Sequence, residues 1–247
     1  MHHKVSLLGV PISLVNQANI MSLVQDLLLR KPQVFIATPN PEHIMLAQNN
    51  KAFMIVLQHT DLNIPDGIGI VWAIRRKLKI ENKKLEIDRV AGIDLMYKLC
   101  LYAYKHQMRI GLLGGVDGVA KKATQNLIKQ FPSIDIITLP YYEYGQKDNK
   151  IVQEINDSKI QMLFVALGAP KQELFISKYL QSMSTVQIAM GVGGAFDVFA
   201  GKLKRPPLWV QNLGLEWLFR LLQEPWRCKR QINLLKFVSK VLLESKA

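Results

Sequence analysis

Short apolar runs that alternate with amphipathic segments are the feature that most restricts the fold of this chain. Most of these runs are continuously apolar, which is typical of strands covered on both faces of a sheet. Crossovers between such strands are right-handed and make the sheet mainly parallel. We therefore predict an α/β fold with helices on both faces of the sheet. The predicted strands are Val5–Val10, Val34–Thr38, Leu62–Pro65, Arg109–Leu113, Ile134–Leu139, Gln161–Leu167 and Val186–Gly191. The predicted helices include Glu42–Leu57, Gly92–His106, Gly118–Phe131, Ile151–Asn156 and Lys171–Leu180.

The pattern changes near residue 200, where a basic connector ends in Pro206 and Pro207. Two helical segments follow, at Leu208–Gln223 and Trp226–Ser245. The second segment has apolar side chains on one side and basic side chains elsewhere, a pattern typical of a helix in a membrane interface. Its predicted apolar face comprises Ile232, Leu235, Val238 and Leu242. We predict an α/β domain over residues 1–200 and a basic helical appendage over residues 201–247.

The formal net charge of +13 indicates an anionic partner. Ten lysines and arginines against three glutamates give the stretch from Lys202 onward a charge of +7. Nucleic acid, phosphorylated substrates and anionic lipid would each explain this charge. We expect no nucleic acid, because the sequence has neither a helix-turn-helix signature nor a basic surface rich in aromatic residues. An anionic membrane surface is the expected partner of the appendage.

Three features of the sequence indicate a cytoplasmic location. The only two cysteines, Cys100 and Cys228, argue against a disulfide framework and suit a reducing compartment. No apolar run approaches the ~20 residues that a transmembrane helix needs, and the first residues lack the pattern of a signal peptide. We expect a cytoplasmic protein that associates peripherally with the inner face of the cytoplasmic membrane.

Glycine and polar residues follow five of the predicted strands. In parallel α/β sheets, ligands bind beyond the carboxyl ends of the strands, so these loops form the expected site. Reversal of the chain between a strand and a helix does not by itself require glycine and polar residues at so many strand ends. The loops are Thr38–Asn40, Pro65–Gly67, Gly114–Gly115, Gly168–Pro170 and Gly193–Gly194.

Three polar residues in the first two loops are candidate catalytic groups. The turn around Asp66 presents its carboxylate at the tip of a strand, where it can take a proton from an attacking hydroxyl as a general base. Asp66 can equally cap the helix that starts near Gly69. Thr38 and Asn40 offer a hydroxyl and an amide to a substrate. Asn40 also fits a helix N-cap with proline at the next position.

Backbone N–H groups of glycine loops are candidate phosphate ligands. Gly114 and Gly115 end a strand ahead of a helix, which suits a pyrophosphate, although tight turning also explains such glycines. Their spacing is not the dinucleotide fingerprint, which argues against a nicotinamide-dependent oxidoreductase. Gly193 and Gly194 form a second loop of this kind. Gln172 opens a helix without an evident capping role, so we expect it to contact a ligand.

Arginines are the expected partners of a negatively charged leaving group. Neither an Asp-x-Asp element nor a His/Cys cluster with zinc spacing occurs, so we expect no metal ion and no other cofactor. Each arginine alone also fits a solvated face. The candidates are Arg89, Arg220, Arg227 and Arg230.

A series of motifs resembles the WecG/TagA/CpsF family of glycosyltransferases. One such motif would be weak, but here they occur in the family's order along nearly the whole chain. In the first 200 residues they are Thr38-Pro39-Asn40-Pro41-Glu42, Pro65-Asp66-Gly67, Arg89-Val90-Ala91-Gly92-Ile93-Asp94, Gly168-Ala169-Pro170-Lys171-Gln172-Glu173 and Gly191-Val192-Gly193-Gly194-Ala195-Phe196-Asp197. In the appendage they are Gly214-Leu215-Glu216-Trp217, Arg220-Leu221 and Glu224-Pro225-Trp226-Arg227.

The resemblance implies a Rossmann-like domain that performs inverting, metal-independent transfer. The implied donor is a UDP-sugar carrying N-acetylmannosamine or its uronic acid. The implied acceptor is polyprenyl-diphosphate-linked N-acetylglucosamine, in cell-surface polysaccharide synthesis. A homo-oligomer is also expected. The alternative is a non-catalytic adaptor at the membrane surface, for which the appendage alone would suffice.

The family's motifs also imply roles for individual residues. By motif position, Asp66 looks like the general base, and Thr38 and Asn40 look like active-site polar residues. Gln172 resembles a residue that contacts the donor. The four candidate arginines resemble ligands of the diphosphate, and three of them belong to the appendage.

Overall fold

The computed structural model describes residues 3–83, 85–116, 118–140, 142–225 and 228–244. Within them, strands and helices alternate as the apolar pattern predicts. The strands are β1 Lys4–Leu7, β2 Val10–Ser13, β3 Val34–Ala37, β4 Leu62–Asn63, β5 Ile110–Gly114, β6 Ile136–Thr138, β7 Met162–Ala166 and β8 Ile188–Gly191. The helices are α1 Ile20–Arg30, α2 Pro41–Asn49, α3 Lys51–His59, α4 Ile68–Ile80, α5 Gly92–Lys105, α6 Val119–Gln130, α7 Asp148–Asp157, α8 Lys171–Tyr179, α9 Ala195–Phe199, α10 Leu208–Asn212, α11 Glu216–Gln223 and α12 Cys228–Glu244.

Strands β3 to β8 form one parallel sheet in the order β4-β3-β8-β7-β5-β6. Successive side chains of a strand enter cores on opposite faces of this sheet. On β7, Phe164 packs with α1, α5, α6 and α9, whereas Val165 packs with α3, α7 and α8. The predicted α/β fold, with a Rossmann-like parallel sheet between two layers of helices, is confirmed. Because both faces are covered, ligand chemistry is left to the loops at the strand ends.

The prediction of a parallel strand at Val5–Val10 is wrong. This segment crosses the turn of an antiparallel hairpin, in which Leu7 pairs with Val10. Leu8 and Gly9 adopt φ values of 49° and 83°, as a two-residue hairpin turn requires. The hairpin β1–β2 is a sheet of its own and packs with α2 and α4.

Two predicted helices are each divided into two. Asn50 begins α3 by accepting a hydrogen bond from the Phe53 N–H at 3.0 Å, so Glu42–Leu57 is not continuous. Gly214, with φ of 71°, separates α10 from α11. The other predicted elements agree with the structure to within a few residues at their ends, where the described residues cover them.

The C-terminal helix α12 returns to the α/β domain. Phe237 and Val241 are buried in one core with residues of the hairpin, α2 and α4. At the end of the helix, the Glu244 carboxylate accepts a hydrogen bond from the Leu8 N–H at 3.3 Å and pairs with Lys77 at 3.3 Å. The predicted appendage therefore shares a hydrophobic core with the domain that precedes it. Along the described residues, no helix has the length and apolar character needed to cross a membrane.

We expect Phe237→Ala to lower the free energy of unfolding by about 3–5 kcal/mol, because truncation of this fully buried ring leaves a cavity. Leu235→Ala is the matched control on the same helix, since Leu235 is 73% exposed, and it should cost less than about 0.5 kcal/mol. Urea denaturation followed by circular dichroism measures both. Equal effects of the two substitutions would contradict the packing of α12 on the domain.

Candidate active site

A pocket of about 350 Å³ lies at the carboxyl ends of β4, β3 and β8. The loops that follow these strands and the segment before α5 form one side of it. The basic connector before α10 and helix α11 form the other side, so the appendage and the α/β domain line the same cavity. The predicted site residues in this lining are Thr38, Asn40, Asp66, Arg89, Gly194 and Arg220.

Asp66 follows β4 and lies close to the start of α5. Its own N–H donates to the Pro39 carbonyl at 3.1 Å. Its carboxylate accepts a hydrogen bond from the N–H of Gly92, the first residue of α5. The capping alternative for Asp66 is not supported, because the N-cap of α4 is Gly67 and no side chain caps that helix. The Asp66 carboxylate is thus directed to the pocket and to α5.

Burial raises the pKa of Asp66 to about 6, and the nearby Glu216 carboxylate raises it as well. The Arg89 guanidinium, the Gly92 N–H and the Arg220 guanidinium lower this pKa, but burial outweighs them. A carboxyl group with a pKa of about 6 is ionised at neutral pH and is still basic enough to accept a proton. These are the properties that a general base needs.

Thr38 and Asn40 lie beside Asp66 in the pocket. The Thr38 side chain packs on Gly92, where an added Cβ would come within 3.0 Å of the Thr38 hydroxyl oxygen. Asn40 caps α2 by accepting a hydrogen bond from the His43 N–H at 3.0 Å, so its predicted capping role is confirmed. Contacts of Thr38 and Asn40 with a substrate stay predictions.

Two of the candidate arginines enter the pocket from opposite sides. Arg89 precedes α5, and its Nη2 lies 2.5 Å from Oε2 of Glu216 on α11. Arg220 pairs with Glu224, one helical turn further along, at 2.9 Å. A Cβ on Gly194 would collide with the Arg220 guanidinium, so glycine at this position lets the cation approach the loop after β8. Helix α11 therefore supplies both a cation and an anion to the site.

The other two candidate arginines cannot be placed. Arg227 lies outside the described residues, and Arg230 belongs to α12 with a side chain that also lies outside them. Their contacts with a diphosphate stay predictions from the family's motifs.

Gln172 holds the second glycine loop from within the protein. Its Oε1 accepts a hydrogen bond from the Gly193 N–H at 3.0 Å, and its Nε2 donates to Glu173 at 2.7 Å. Both side chains are buried against Gly191, where a Cβ would lie 2.7 Å from Gln172 Nε2. Gln172 thus has a structural role that was not predicted, and its direct contact with the donor stays a prediction. Gly193 lies outside the pocket lining.

Gly114 and Gly115 also lie outside this lining; Gly114 is the last residue of β5, and Gly115 follows it. A Cβ on Gly114 would come within 2.5 Å of the Ala166 carbonyl oxygen, and Gly114 has φ of 95°. The positive φ fits the alternative of a tight turn, and the close approach of β5 to β7 is a second reason for glycine here. Binding of a pyrophosphate by this loop stays a prediction.

Two acidic residues near the site were not predicted from the sequence. Glu216 pairs with Arg89, and Glu173 is buried beside Gln172. Burial raises the pKa of Glu173 to about 7, and its Oε2 has no hydrogen-bond partner in the described part of the chain. Both glutamates belong to sequence motifs of the family, and this was the one feature of the sequence that could have identified them as site residues.

We expect Glu173→Gln to flatten the pH dependence of stability. The pKa of Glu173 rises from an ordinary 4.5 to about 7 on folding, so the unfolded chain loses this proton first. The stabilising contribution of the protonated group is complete below pH 4.5 and is lost as the pH rises toward 7. At pH 8 the variant should be more stable than the wild type by on the order of 2 kcal/mol. Denaturation curves from pH 4 to 8 test this, with Glu86→Gln as the exposed control; a wild-type slope in Glu173→Gln would contradict the prediction.

Known proteins resemble this chain over most of its length. The Glycosyl transferase WecG/TagA/CpsF family matches residues 5–247. A Bacillus subtilis (strain 168) protein named N-acetylglucosaminyldiphosphoundecaprenol N-acetyl-beta-D-mannosaminyltransferase is 36% identical over 212 residues, which are 85% of this chain and 80% of that protein. A Bacillus spizizenii protein of the same name is 36% identical over 214 residues, or 86% and 80% of the two chains. The resemblance drawn from the motifs is confirmed, and the chain belongs to the WecG/TagA/CpsF family of glycosyl transferases.

Proposed function

We propose that this protein transfers N-acetylmannosamine, or its uronic acid, from a UDP-sugar to polyprenyl-diphosphate-linked N-acetylglucosamine in cell-surface polysaccharide synthesis. Membership of the family supports glycosyl transfer. The names of the two Bacillus relatives support the mannosaminyl group and the lipid-linked acceptor. The observation that carries the mechanism is the Asp66 carboxyl, which lies in the pocket with a pKa of about 6 and with Arg89 and Arg220 nearby.

The proposed reaction is a single displacement at the anomeric carbon. Asp66 takes the proton of the acceptor hydroxyl while the oxygen of that hydroxyl forms a bond to the anomeric carbon. The bond from this carbon to the UDP oxygen breaks, and UDP leaves with the electron pair. One displacement of this kind inverts the configuration of the sugar.

Arginines are the proposed stabilisers of the departing UDP. Negative charge grows on the diphosphate as the bond breaks, and preorganised guanidinium groups can neutralise it. Arg89 and Arg220 line the pocket, and we assign this role to them. Among the described residues, no group of three or more His, Cys, Asp or Glu side chains is placed to hold a metal ion. Metal independence is part of this proposal and is tested with EDTA below.

We expect Asp66→Asn to lower the rate of sugar transfer by about 10²–10⁴-fold and to leave UDP binding nearly unchanged, because the amide cannot accept the proton. UDP release is measured with a panel of UDP-sugars, with and without a polyprenyl-diphosphate-N-acetylglucosamine analogue and EDTA. Asp88→Asn is the control, since it removes an exposed carboxylate from the segment just before Arg89.

The outcomes of this assay separate the alternatives. Acceptor-dependent release from one donor, unaffected by EDTA, would support the transferase and identify its sugar. A near-normal rate in Asp66→Asn would mean that another group is the base. Absence of release from every donor by the folded wild-type protein would favour the non-catalytic adaptor.

We also propose that helices α10 and α11 bind the membrane beside the pocket. A lipid-linked acceptor is anchored in the bilayer, so the pocket must open toward it. Trp217 lines the pocket and is also exposed, and the basic connector lies next to it. A surface with tryptophan and leucine beside cationic residues is typical of an interfacial helix. Its exposed apolar side chains are Leu208, Trp209, Leu213, Trp217, Leu218 and Leu222.

Only part of the apolar face predicted for α12 remains available to a membrane. Val238 packs against the core that contains Phe237, whereas Leu235 and Leu242 are exposed. The side chain of Ile232 lies outside the described residues. Among the described side chains of the appendage, most of the exposed apolar ones therefore belong to α10, α11 and the turn between them. A homo-oligomer stays an expectation from the family resemblance.

We expect the double substitution of Trp209 and Leu213 by serine to weaken binding to phosphatidylglycerol vesicles by more than about tenfold. Each side chain is 65% exposed, and burial of such a side chain contributes about 1.5–3 kcal/mol. Leu29→Ser is the control, because Leu29 is an exposed leucine on α1. Co-sedimentation with vesicles measures the effect; equal binding of the double variant and the control would contradict the proposed surface.

A further inference from the structure

Two ion pairs hold the appendage against the segment that supports the proposed base. Arg89 pairs with Glu216 of α11 at 2.5 Å, and Asp94 pairs with Arg205 of the connector at 2.6 Å. The α/β domain contributes the cation to the first pair and the anion to the second. Between Arg89 and Asp94 lies Gly92, whose N–H binds the base. The appendage therefore contacts both ends of the segment that holds the catalytic carboxylate.

Arg89 lies between two carboxylates that compete for it. Asp66 and Glu216 both act on its guanidinium, and the direct contact is with Glu216. Burial lowers the pKa of Arg89, but the carboxylates of Glu216, Asp66 and Asp94 together raise it by more. Arg89 therefore stays positively charged. A carboxylate that pairs with such a cation is stabilised in its charged form and becomes a weaker base. Asp66 is therefore a stronger base when Arg89 pairs with Glu216 than when Arg89 pairs with Asp66.

The Arg89–Glu216 contact is one hydrogen bond short of a bidentate pair. Nη2 and Oε2 are joined, while the buried Nε of Arg89 and Oε1 of Glu216 have no partner within the described residues. Nε and Nη2 lie on the same edge of a guanidinium group, and this edge matches the two oxygens of a carboxylate. A small rotation of either side chain would complete the pair. The two unsatisfied atoms thus indicate that Glu216 is suited to hold Arg89 more tightly than it does in this state.

We propose that Glu216 is a positioning residue of the transfer reaction: when α11 docks, Glu216 takes Arg89 as its partner and keeps Arg89 from pairing with Asp66. This inference rests on the proposed function. When α11 is not docked, Arg89 loses Glu216 and pairs with Asp66. Paired with Arg89, the Asp66 carboxylate is a weaker base until α11 docks again. Docking of the appendage would by this means activate the base as well as deliver Arg220.

The charges that face Asp66 support the direction of this effect. Glu216 raises the pKa of Asp66, whereas Arg89 and Arg220 lower it. Removal of the Glu216 charge therefore lowers the pKa of Asp66 directly, and also by releasing Arg89. Within the described part of the chain, the other charged side chains that line the pocket are Glu42, Lys204 and Arg205.

The test is the pH dependence of kcat/KM for UDP release in the full chain, with the lipid-linked acceptor analogue in vesicles. We expect Glu216→Gln to move the acid limb to lower pH by about one unit and to lower kcat at pH 8 about tenfold, because a weaker base transfers the proton more slowly. Glu216→Asp keeps the charge and should keep the acid limb near its wild-type position. A wild-type profile in Glu216→Gln would overturn the proposal.

Two controls separate positioning from simple attachment. Asp88→Asn removes an exposed carboxylate from the same segment and should not move the profile. Arg205→Gln removes the second ion pair and leaves the Glu216 carboxylate in place, so it should move the acid limb less than Glu216→Gln does. If Arg205→Gln moves the limb as far as Glu216→Gln does, the appendage acts through attachment alone, and the role assigned to Glu216 is wrong.

Amide hydrogen exchange tests the role of Glu216 independently of the proposed sugar transfer. Amides of α11 should exchange faster in Glu216→Gln than in Asp88→Asn, whether or not any sugar is transferred. If the wild type transfers no sugar but α11 loses protection in Glu216→Gln, the proposed function fails while the Arg89–Glu216 contact stands. If transfer occurs and neither protection nor the pH profile changes in Glu216→Gln, the inference fails and the proposed function stands.

Discussion

The burial of both faces of the parallel sheet is the constraint on which the rest of this structure depends. Helices cover β7 from either side, so Phe164 and Val165 belong to different cores. Chemistry can then take place only where the strands end and their loops begin. The strands β4, β3 and β8 are neighbours in the sheet, and for that reason residues far apart in sequence meet in one pocket.

Two carboxyl groups at these strand ends are kept in surroundings that oppose their ionisation. Burial raises the pKa of Asp66 to about 6 and that of Glu173 to about 7. Such burial costs stability above the ordinary pKa of a carboxyl group, and a protein retains it where the group serves a purpose. For Asp66 the proposed purpose is basicity. Glu173 accepts a hydrogen bond from Gln172, which in turn holds the Gly193 loop in place.

The appendage is less separate than a boundary at residue 200 implies. Helix α12 is anchored in a core of the domain by Phe237, while α11 crosses the pocket and brings Glu216 and Arg220 to Asp66. The same segment thus presents exposed tryptophan and leucine side chains on its outer side and charged side chains toward the site. This arrangement connects the surface proposed for the membrane directly to the groups proposed for catalysis.

Prediction from the sequence succeeded where short-range physics decides the structure. Continuous apolar runs identified the strands of the parallel sheet, and Asn40 followed by Pro41 identified a helix start that the His43 N–H confirms. It failed at Val5–Val10, because an apolar run does not reveal that Leu8 and Gly9 turn the chain back on itself. The prediction of one continuous helix at Glu42–Leu57 failed because the spacing of apolar residues does not change at Asn50, where the second helix begins.

For the site, the sequence by itself determined the fold class, the family and the strand-end loop that carries Asp66, because glycine and proline restrict the backbone locally. Only the tertiary structure decided how these groups act on each other. The pairing of Arg89 with Glu216 joins residues that are far apart in the sequence, and the interior position of Gln172 depends on the packing of α8 against β8. Burial and long-range charge set the pKa of Asp66, and neither is encoded in the residues next to it.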